Sequence, residues 1–356
     1  MPKISVIMPV YNGAEYLEKS IGSLVNQTLD DIEIICINDC STDSSLEILQ
    51  DYAKNDTRIK IINSKVNQGQ SKSKNLALDN YVTGEYVMFL DQDDWYELNA
   101  CELCYNQAKN NQNDLILFDF NNFFVETNIF KKNNYIIDAF KDCLNDSRIR
   151  LYELKNNFIR SGYAWCYCYN FSFIQQYKIR FPEQNRFTDD VPFYINSIVN
   201  ADTISIIDKA LYNYRINHAS ITFTRPDLWY ELFDARMQGY NYILKSKHAN
   251  NFIYPFLIYF IRSIMYWYRR YSLNKFMYTK SYYNKMRILF VKFNNEHDIS
   301  KISQYINYQE FRNIINRPYW MMKLTQIPQK IFSLRNSDDK THKIITILGI
   351  KLSIKK

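Results

Sequence analysis

The sequence predicts an α/β protein: a doubly wound, mixed but mostly parallel sheet, followed by a helical region rich in basic and aromatic residues. Three observations predict it. Over the first 120 residues, short apolar runs alternate with segments of helical periodicity, the pattern of a parallel sheet with crossover helices. Polar turns carrying reactive side chains follow those runs directly. The charge also changes sign along the chain. Residues 221–356 hold 23 Lys+Arg against 8 Asp+Glu, a net of +15, while the first 220 hold 21 against 29, a net of −8.

Strands are expected at Ile4–Met8, Ile32–Ile37, Ile59–Ile62, Tyr86–Leu90 and Leu115–Phe118. Between the first two, Leu17, Ile21, Leu24 and Val25 recur at helical spacing. Ser41-Thr42 offers an N-cap for a second helix with the apolar face Leu46, Leu49 and Ala53, and Asn75 to Asn80 supplies a third. Residues 121–160 are rich in Asn and Phe and carry no clear period. Trp165 to Tyr214 returns to mixed character and completes a first domain. From about Leu228 the pattern is helical, with Pro255, Pro318 and Pro328 as breaks and a short tail around Gly349. The composition shift divides the chain into domains 1–225 and 226–356.

With 356 residues, the chain can bury one large core or two. No signal peptide is visible after Met1-Pro2-Lys3, and the longest apolar stretch, Phe252 to Ile261, is broken by Arg262. Seven scattered Cys suggest reduced thiols and a cytoplasmic protein. Cys101-x-x-Cys104 with Cys166-x-Cys168 is a poor zinc site, because the first pair lies in a helical run without knuckle glycines. No nucleic-acid motif accompanies the basic second half, so no nucleic-acid partner is expected.

The most informative segment is Glu85-Tyr-Val-Met-Phe-Leu-Asp-Gln-Asp-Asp94, an apolar run ending on three carboxylates. Extended chain would send Asp91 and Asp93 the same way beyond the strand end, where ligands of open α/β sheets gather. Two nearby carboxylates suit a hard divalent cation that shares its oxygen ligands with substrate phosphates. An acidic turn that merely ends a strand is the competing reading. Three further segments belong with it: Pro9-Val10-Tyr11-Asn12-Gly13, Asn38-Asp39-Cys40-Ser41-Thr42-Asp43, and Asn67-Gln-Gly-Gln-Ser-Lys-Ser-Lys74-Asn75. None is a dinucleotide fingerprint or a P-loop.

In order and position these segments resemble the inverting family 2 glycosyltransferases of the GT-A fold. The resemblance is strong over residues 1–120. It continues through Arg180-Phe-Pro-Glu, Asp189-Asp190-Val-Pro-Phe193, Leu211-Tyr-Asn-Tyr-Arg215 and Ser220-Ile-Thr222, and lapses beyond about 225. It implies a UDP-sugar donor, with Asp39 accepting from the uracil N–H and Pro9, Val10 and Tyr11 shaping the nucleoside slot. Lys74 stands where the family usually has Arg. The resemblance further implies Mn²⁺ or Mg²⁺ on Asp93, with Asp91 at the ribose or the metal, Gln92 on the donor side and His218 as a further ligand. Asp190 is the matching general base and Asp189 its neighbour. Competing readings are a helix cap for Asp39, a solvated lysine for Lys74 and a surface-loop residue for His218. Tyr167 stands where many relatives carry Lys.

The function so implied is metal-dependent, inverting transfer of a hexose or N-acetylhexosamine from a UDP-sugar. The acceptor would be a hydroxyl of a growing surface glycan (lipopolysaccharide, lipooligosaccharide or capsule), in some cases a lipid-linked oligosaccharide. A non-catalytic nucleotide- or glycan-binding protein of the same fold is the alternative. Cations interleaved with Tyr266, Trp267, Tyr268, Tyr271, Tyr282 and Tyr283 suit an anionic membrane surface, and hence a peripheral place on the cytoplasmic face of the inner membrane.

Overall fold

The computed structural model describes residues 1–144, 146–153, 163–184, 188–216, 231–272, 279–319, 332–336, 342–347 and 350–355. The chain divides into two compact units, Met1–Tyr259 and Phe260–Lys356.

In the first unit, β1 (Ile4–Val10), β2 (Ile32–Asn38), β3 (Ile59–Asn63) and β4 (Tyr86–Phe89) alternate with α1 (Ala14–Val25), α2 (Ser45–Asn55) and α3 (Gln70–Asn80). There follow β5 (Trp95–Tyr96), α4 (Ala100–Asn111), β6 (Leu115–Phe124), β7 (Ile129–Asn133), α5 (Tyr135–Ala139), β8 (Tyr167–Asn170), α6 (Phe171–Gln176), α7 (Asp190–Asn200) and β9 (Ile204–Ile216). These strands form one nine-stranded sheet in the order β3-β2-β1-β4-β8-β6-β9-β5, with β7 on β6. The β3-β2-β1-β4 and β6-β9 pairs are parallel, and β8, β5 and β7 are antiparallel. The mixed, mostly parallel α/β sheet expected from the alternation is therefore present.

Every residue of β1 and β2 is buried, as expected of strands covered on both faces. On α1, Leu17, Ile21 and Leu24 are buried, so the predicted stripe is the packing face. Two helix starts differ from the sequence expectation. Helix α2 begins at Ser45 rather than after Ser41-Thr42, because Ser41 and Thr42 instead bind Asn12. Helix α3 begins at Gln70, directly after the positive φ of Gly69, rather than near Asn75. Cys101 and Cys104 lie buried on α4, and all seven cysteines are free thiols.

Helix α8 (Glu231–Lys245) also belongs to the first unit, so the compositional boundary at 225 falls inside that unit. It lies so close to α7 that a Cβ on Gly239 would stand 2.5 Å from the Ile195 Cδ1. Helix α9 (Ala249–Ser272) contains Pro255 without ending there, so this proline is not the expected break; Pro318 does follow the end of a helix.

In the second unit, α10 (Thr279–Glu296) and α11 (Tyr308–Asn316) precede a three-stranded antiparallel sheet of β10 (Phe332–Asn336), β11 (His342–Ile347) and β12 (Ile350–Lys355). This sheet stands where only a short tail is expected from the sequence, although Ile350-Lys-Leu-Ser-Ile-Lys355 alternates with the period of a strand. Tyr268, Tyr282 and Tyr283 are buried, and the Tyr282 and Tyr283 hydroxyls donate to the carbonyls of Ile264 and Arg317. Much of the expected membrane-facing aromatic surface is core instead, and Tyr271 lies outside the residues whose side chains are described. Among the described residues, no helix is long and apolar enough to cross a membrane.

Candidate active site

The parallel register brings three strand ends to one rim, with Val10 opposite Asn38 and Asn38 opposite Asn63. The turns beyond them are stitched together. Asn12, in the left-handed region at φ 49°, accepts from the Thr42 N–H at 2.8 Å and donates its own N–H to Ser41 Oγ. The Gly13 N–H donates to Ser45 Oγ, and the Ala14 N–H to Asp43 Oδ2. Gln92 grips the Tyr11 backbone from both sides, accepting its N–H at 2.8 Å and donating to its carbonyl at 3.1 Å. A Cβ on Gly13 would sit 2.4 Å from that Gln92 oxygen, so glycine is what admits the brace. Pro9 and Val10 are buried at the end of β1, whereas Tyr11 is 46% exposed and opens the rim.

Asp39 is buried, and its two carboxylate oxygens accept the backbone N–H groups of Gln68 (2.9 Å) and Gly69 (2.7 Å). It does not cap the helix after it; it holds the loop that launches α3, where Gly69 needs φ +89°.

The three carboxylates after β4 do not continue the strand. Residues Asp91 to Asp94 form a turn closed by the Asp94 N–H on the Asp91 carbonyl at 3.1 Å, so the expected extended alternation of Asp91 and Asp93 is replaced by a bend. Asp91 keeps 27% of its side chain exposed. Asp93 is half-buried, and burial together with the Asp91 charge pushes its carboxyl up to about 6. Asp94 is buried and accepts from the Tyr212 hydroxyl at 2.8 Å and the Arg215 N–H at 2.7 Å. Burial, then Asp93 and Asp91, raise its carboxyl well above the usual range. Arg215 donates Nε to the Asp93 carbonyl at 2.7 Å, with its guanidinium over the rings of Tyr16 and Trp95, each 5.2 Å away, and Phe123 at 5.7 Å. Asp94, Tyr212 and Arg215 carry no assigned role in the sequence expectations. For Tyr212 and Arg215 the sequence signal is the polar and aromatic run that ends β9, with Tyr212 118 residues from the Asp94 it holds.

Helix α3 brings in the other side of the site. Lys74 is 1% exposed, which excludes the solvated reading, and its Nζ lies 3.4 Å from Asp91 Oδ1 and 3.8 Å from Asp190 Oδ1. One turn earlier, Gln70 Nε2 and Ser71 Oγ donate to the two oxygens of buried Asp189 at 3.0 and 2.9 Å. Asp190 opens α7, directly after Thr188 (φ 64°) and Asp189. Burial pushes its carboxyl up to about 8 against the opposing pull of Lys74, and Asp189 and Asp91 add to the rise. Beside it, Trp165 stacks on Tyr163, Tyr212 and Tyr214 at 4.7, 4.2 and 5.6 Å, and Tyr167 is buried against Tyr169 and Tyr194.

Among the described residues no group of three or more His, Cys, Asp or Glu is arranged to hold a metal, and His218 lies outside the described residues. Asp91 and Asp93 nevertheless fit a hard divalent cation whose remaining ligands are substrate oxygens. They are oxygen donors, and the Asp91 charge that adds to burial in raising Asp93 is what such a cation would offset.

Residues 5–179 match the profile of Glycosyl transferase family 2. This stretch is a family 2 glycosyltransferase domain. The domain contains the rim turns, Lys74 and the Asp91–Asp94 turn, while Asp190 and Arg215 come from the segment after it. The chain is 32% identical over 229 residues to the uncharacterized glycosyltransferase EpsJ of Bacillus subtilis, covering 62% of this chain and 63% of EpsJ. It is 32% identical over 237 residues to the poly(ribitol-phosphate) beta-glucosyltransferase of Bacillus spizizenii, covering 64% of this chain and 35% of that enzyme. It thus spans less than two thirds of the length of either relative. The structure of Staphylococcus aureus TarS 1–349 in complex with UDP-GlcNAc aligns over 99% of both chains with a TM-score of 0.70 at 19% identity. That likeness establishes that the GT-A fold is shared.

Proposed function

We propose that this chain is an inverting, metal-dependent glycosyltransferase that moves a hexose or N-acetylhexosamine from a UDP-sugar to a hydroxyl of a growing surface glycan. The observation that carries the reading is the meeting of Asp190 and Asp91 at one buried cation, Lys74, which brings a carboxylate with a raised pKa beside the rim expected to hold the donor. In this reading, Tyr11, with the buried ends of β1 and β2, forms the nucleoside slot, and Asp39 fixes its floor through Gln68 and Gly69 while offering remaining lone pairs to the base. Gln92 keeps Tyr11 and the carboxylate turn in register.

Asp190 takes the proton of the acceptor hydroxyl as that oxygen forms its bond to the anomeric carbon. The bond from that carbon to the UDP oxygen breaks on the opposite face, which inverts the centre. Asp93 and Asp91, with His218 as a further candidate, would hold Mn²⁺ or Mg²⁺, which when bound supplies Lewis-acid stabilisation of the leaving diphosphate. The UDP-GlcNAc of the TarS complex and the poly(ribitol-phosphate) named for the Bacillus spizizenii enzyme support the donor and acceptor class.

Domain 1–225 would carry donor and chemistry, with 226–356 a basic region that docks a lipid-linked acceptor or the anionic cytoplasmic membrane face. Its exposed cations, such as Arg262 and Lys280, support that docking better than its largely buried tyrosines. The test is a panel of UDP-sugars with Mn²⁺ or Mg²⁺, read as UDP release with and without glycan acceptors. UDP release from one donor, raised by an acceptor, is the expected result; UDP binding without any turnover would leave the non-catalytic binder.

A further inference from the structure

Lys74 is where the donor side and the acceptor side of this site touch. Its ammonium is 1% exposed and lies between Asp91 Oδ1 at 3.4 Å and Asp190 Oδ1 at 3.8 Å, over the face of Phe181 at 4.9 Å. A buried ammonium must be paired, and these carboxylates are the ion-pair partners it finds. The Ala164 N–H also holds the Asp190 carboxyl, but its buried Oδ1, the oxygen that faces Lys74, has no hydrogen-bond partner.

The helix beneath Lys74 is held at its start. Asp39 fixes Gln68 and Gly69, while Gln70 and Ser71 hold Asp189. Residues 70, 71 and 74 share one helical face, so a single rigid surface meets both Asp189 and Asp190. Without the ammonium, Asp91 and Asp190 would be two partly buried carboxylates facing one gap. With no cation between them, Asp190 Oδ1 loses the contact that sets it toward Asp91.

We infer that Lys74 is a positioning residue for the base: it sets Asp190 against the donor-side carboxylate Asp91, rather than serving chiefly as a ligand of the donor. The inference rests on the proposed function for its kinetic consequence, but its structural content stands apart from turnover. A lysine suits this bridging role, because a compact ammonium can face two carboxylates at once, whereas an arginine fork favours one of them bidentately.

The experiment compares wild type with Lys74→Met, Lys74→Arg, Asp190→Asn and the Lys74→Met/Asp190→Asn double variant. UDP affinity is measured by calorimetry, transfer from the best UDP-sugar by kcat and KM, and side-chain positions by crystallography. Expected for Lys74→Met are UDP affinity and donor KM within about threefold of wild type, kcat reduced on the order of 10²-fold, and Asp190 rotated off its position. Lys74→Arg should restore part of kcat. The double variant should be no slower than Asp190→Asn alone, because a group acting only through Asp190 has nothing left to position. UDP affinity falling in step with kcat would overturn the inference in favour of a donor ligand, and additive losses in the double variant would do so as well. Asp190 unmoved in the Lys74→Met crystal structure would also overturn it. That arm needs no turnover, so an inactive wild type would sink the proposed function and still leave the role of Lys74 decided. Should Lys74→Met not fold, Lys74→Arg crystals and the Lys74–Asp190 geometry in Asp190→Asn decide the same question.

Discussion

The Tyr212 hydroxyl donates to Asp94 at 2.8 Å inside the protein, joining strand β9 to the turn that follows β4 across 118 residues. Asp91 is drawn into the same contact, its N–H lying 3.3 Å from the Tyr212 oxygen. The candidate metal turn is thus shaped from behind by a strand that the family profile does not reach.

Replacing Tyr212 with Phe should therefore act on stability first. It leaves the ring stacked on Trp165 but strips a buried carboxyl of its donor, which costs about 1–3 kcal/mol. Urea unfolding is the measurement. A midpoint equal to wild type would mean that the Arg215 N–H alone satisfies Asp94.

Asp190→Asn should lower transfer on the order of 10²–10⁴-fold while UDP affinity holds, because an amide cannot take the acceptor proton. With the Asp190 carboxyl pushed up to about 8, the base is ionised above that pH in the free enzyme. Wild-type kcat/KM should rise with pH through a midpoint near 8 and level off above it, and the residual rate of Asp190→Asn should lack this limb. A pH profile flat from 6 to 9 would move the base elsewhere.

The same shifts give stability the opposite slope. Asp93 and Asp190 ionise near about 6 and about 8 in the folded, metal-free protein, but near the ordinary value of about 3.9 when unfolded. Between those values the folded state holds more protons, so the contribution is fully present below about 4 and is lost as pH rises through 6 to 8. Urea midpoints should fall from pH 5 to pH 8.5, and less so in an Asp93→Asn/Asp190→Asn double variant. An unchanged slope in that variant would assign the effect to other groups.

Asp93→Ala should remove metal-dependent transfer without unfolding the chain, since it deletes a charge that burial and Asp91 already disfavour. Binding of Mn²⁺ in the presence of UDP, followed by calorimetry, should weaken in parallel. Full activity of wild type in excess chelator would exclude the metal reading.

Exposed cations of the second unit should draw the protein to vesicles with anionic lipid more than to neutral ones, increasingly at low salt. Changing Arg262 and Lys280 to Glu should weaken that sedimentation. Equal binding to both vesicle types would leave this unit without a membrane role.

Local sequence specifies the frame of this protein and the reagents of its site. The alternation of apolar runs with helical periods encodes the parallel strands and their crossovers, and their ends carry Asp39 and the Asp91–Asp94 cluster to one rim, because strand and helix periods are local properties. How those residues are used is set by contacts between distant segments. Asp91 and Asp93 share a bend rather than an extended strand, since Asp94 is pulled inward by Tyr212 and Arg215. Lys74 is buried rather than solvated, and it stands between Asp91 and Asp190 because the starts of α3 and α7, far apart in the chain, meet through Gln70, Ser71 and Asp189. Tyr268, Tyr282 and Tyr283 of the basic region turn inward for the same reason: burial and ion pairing depend on which distant segments meet, and no local period encodes that.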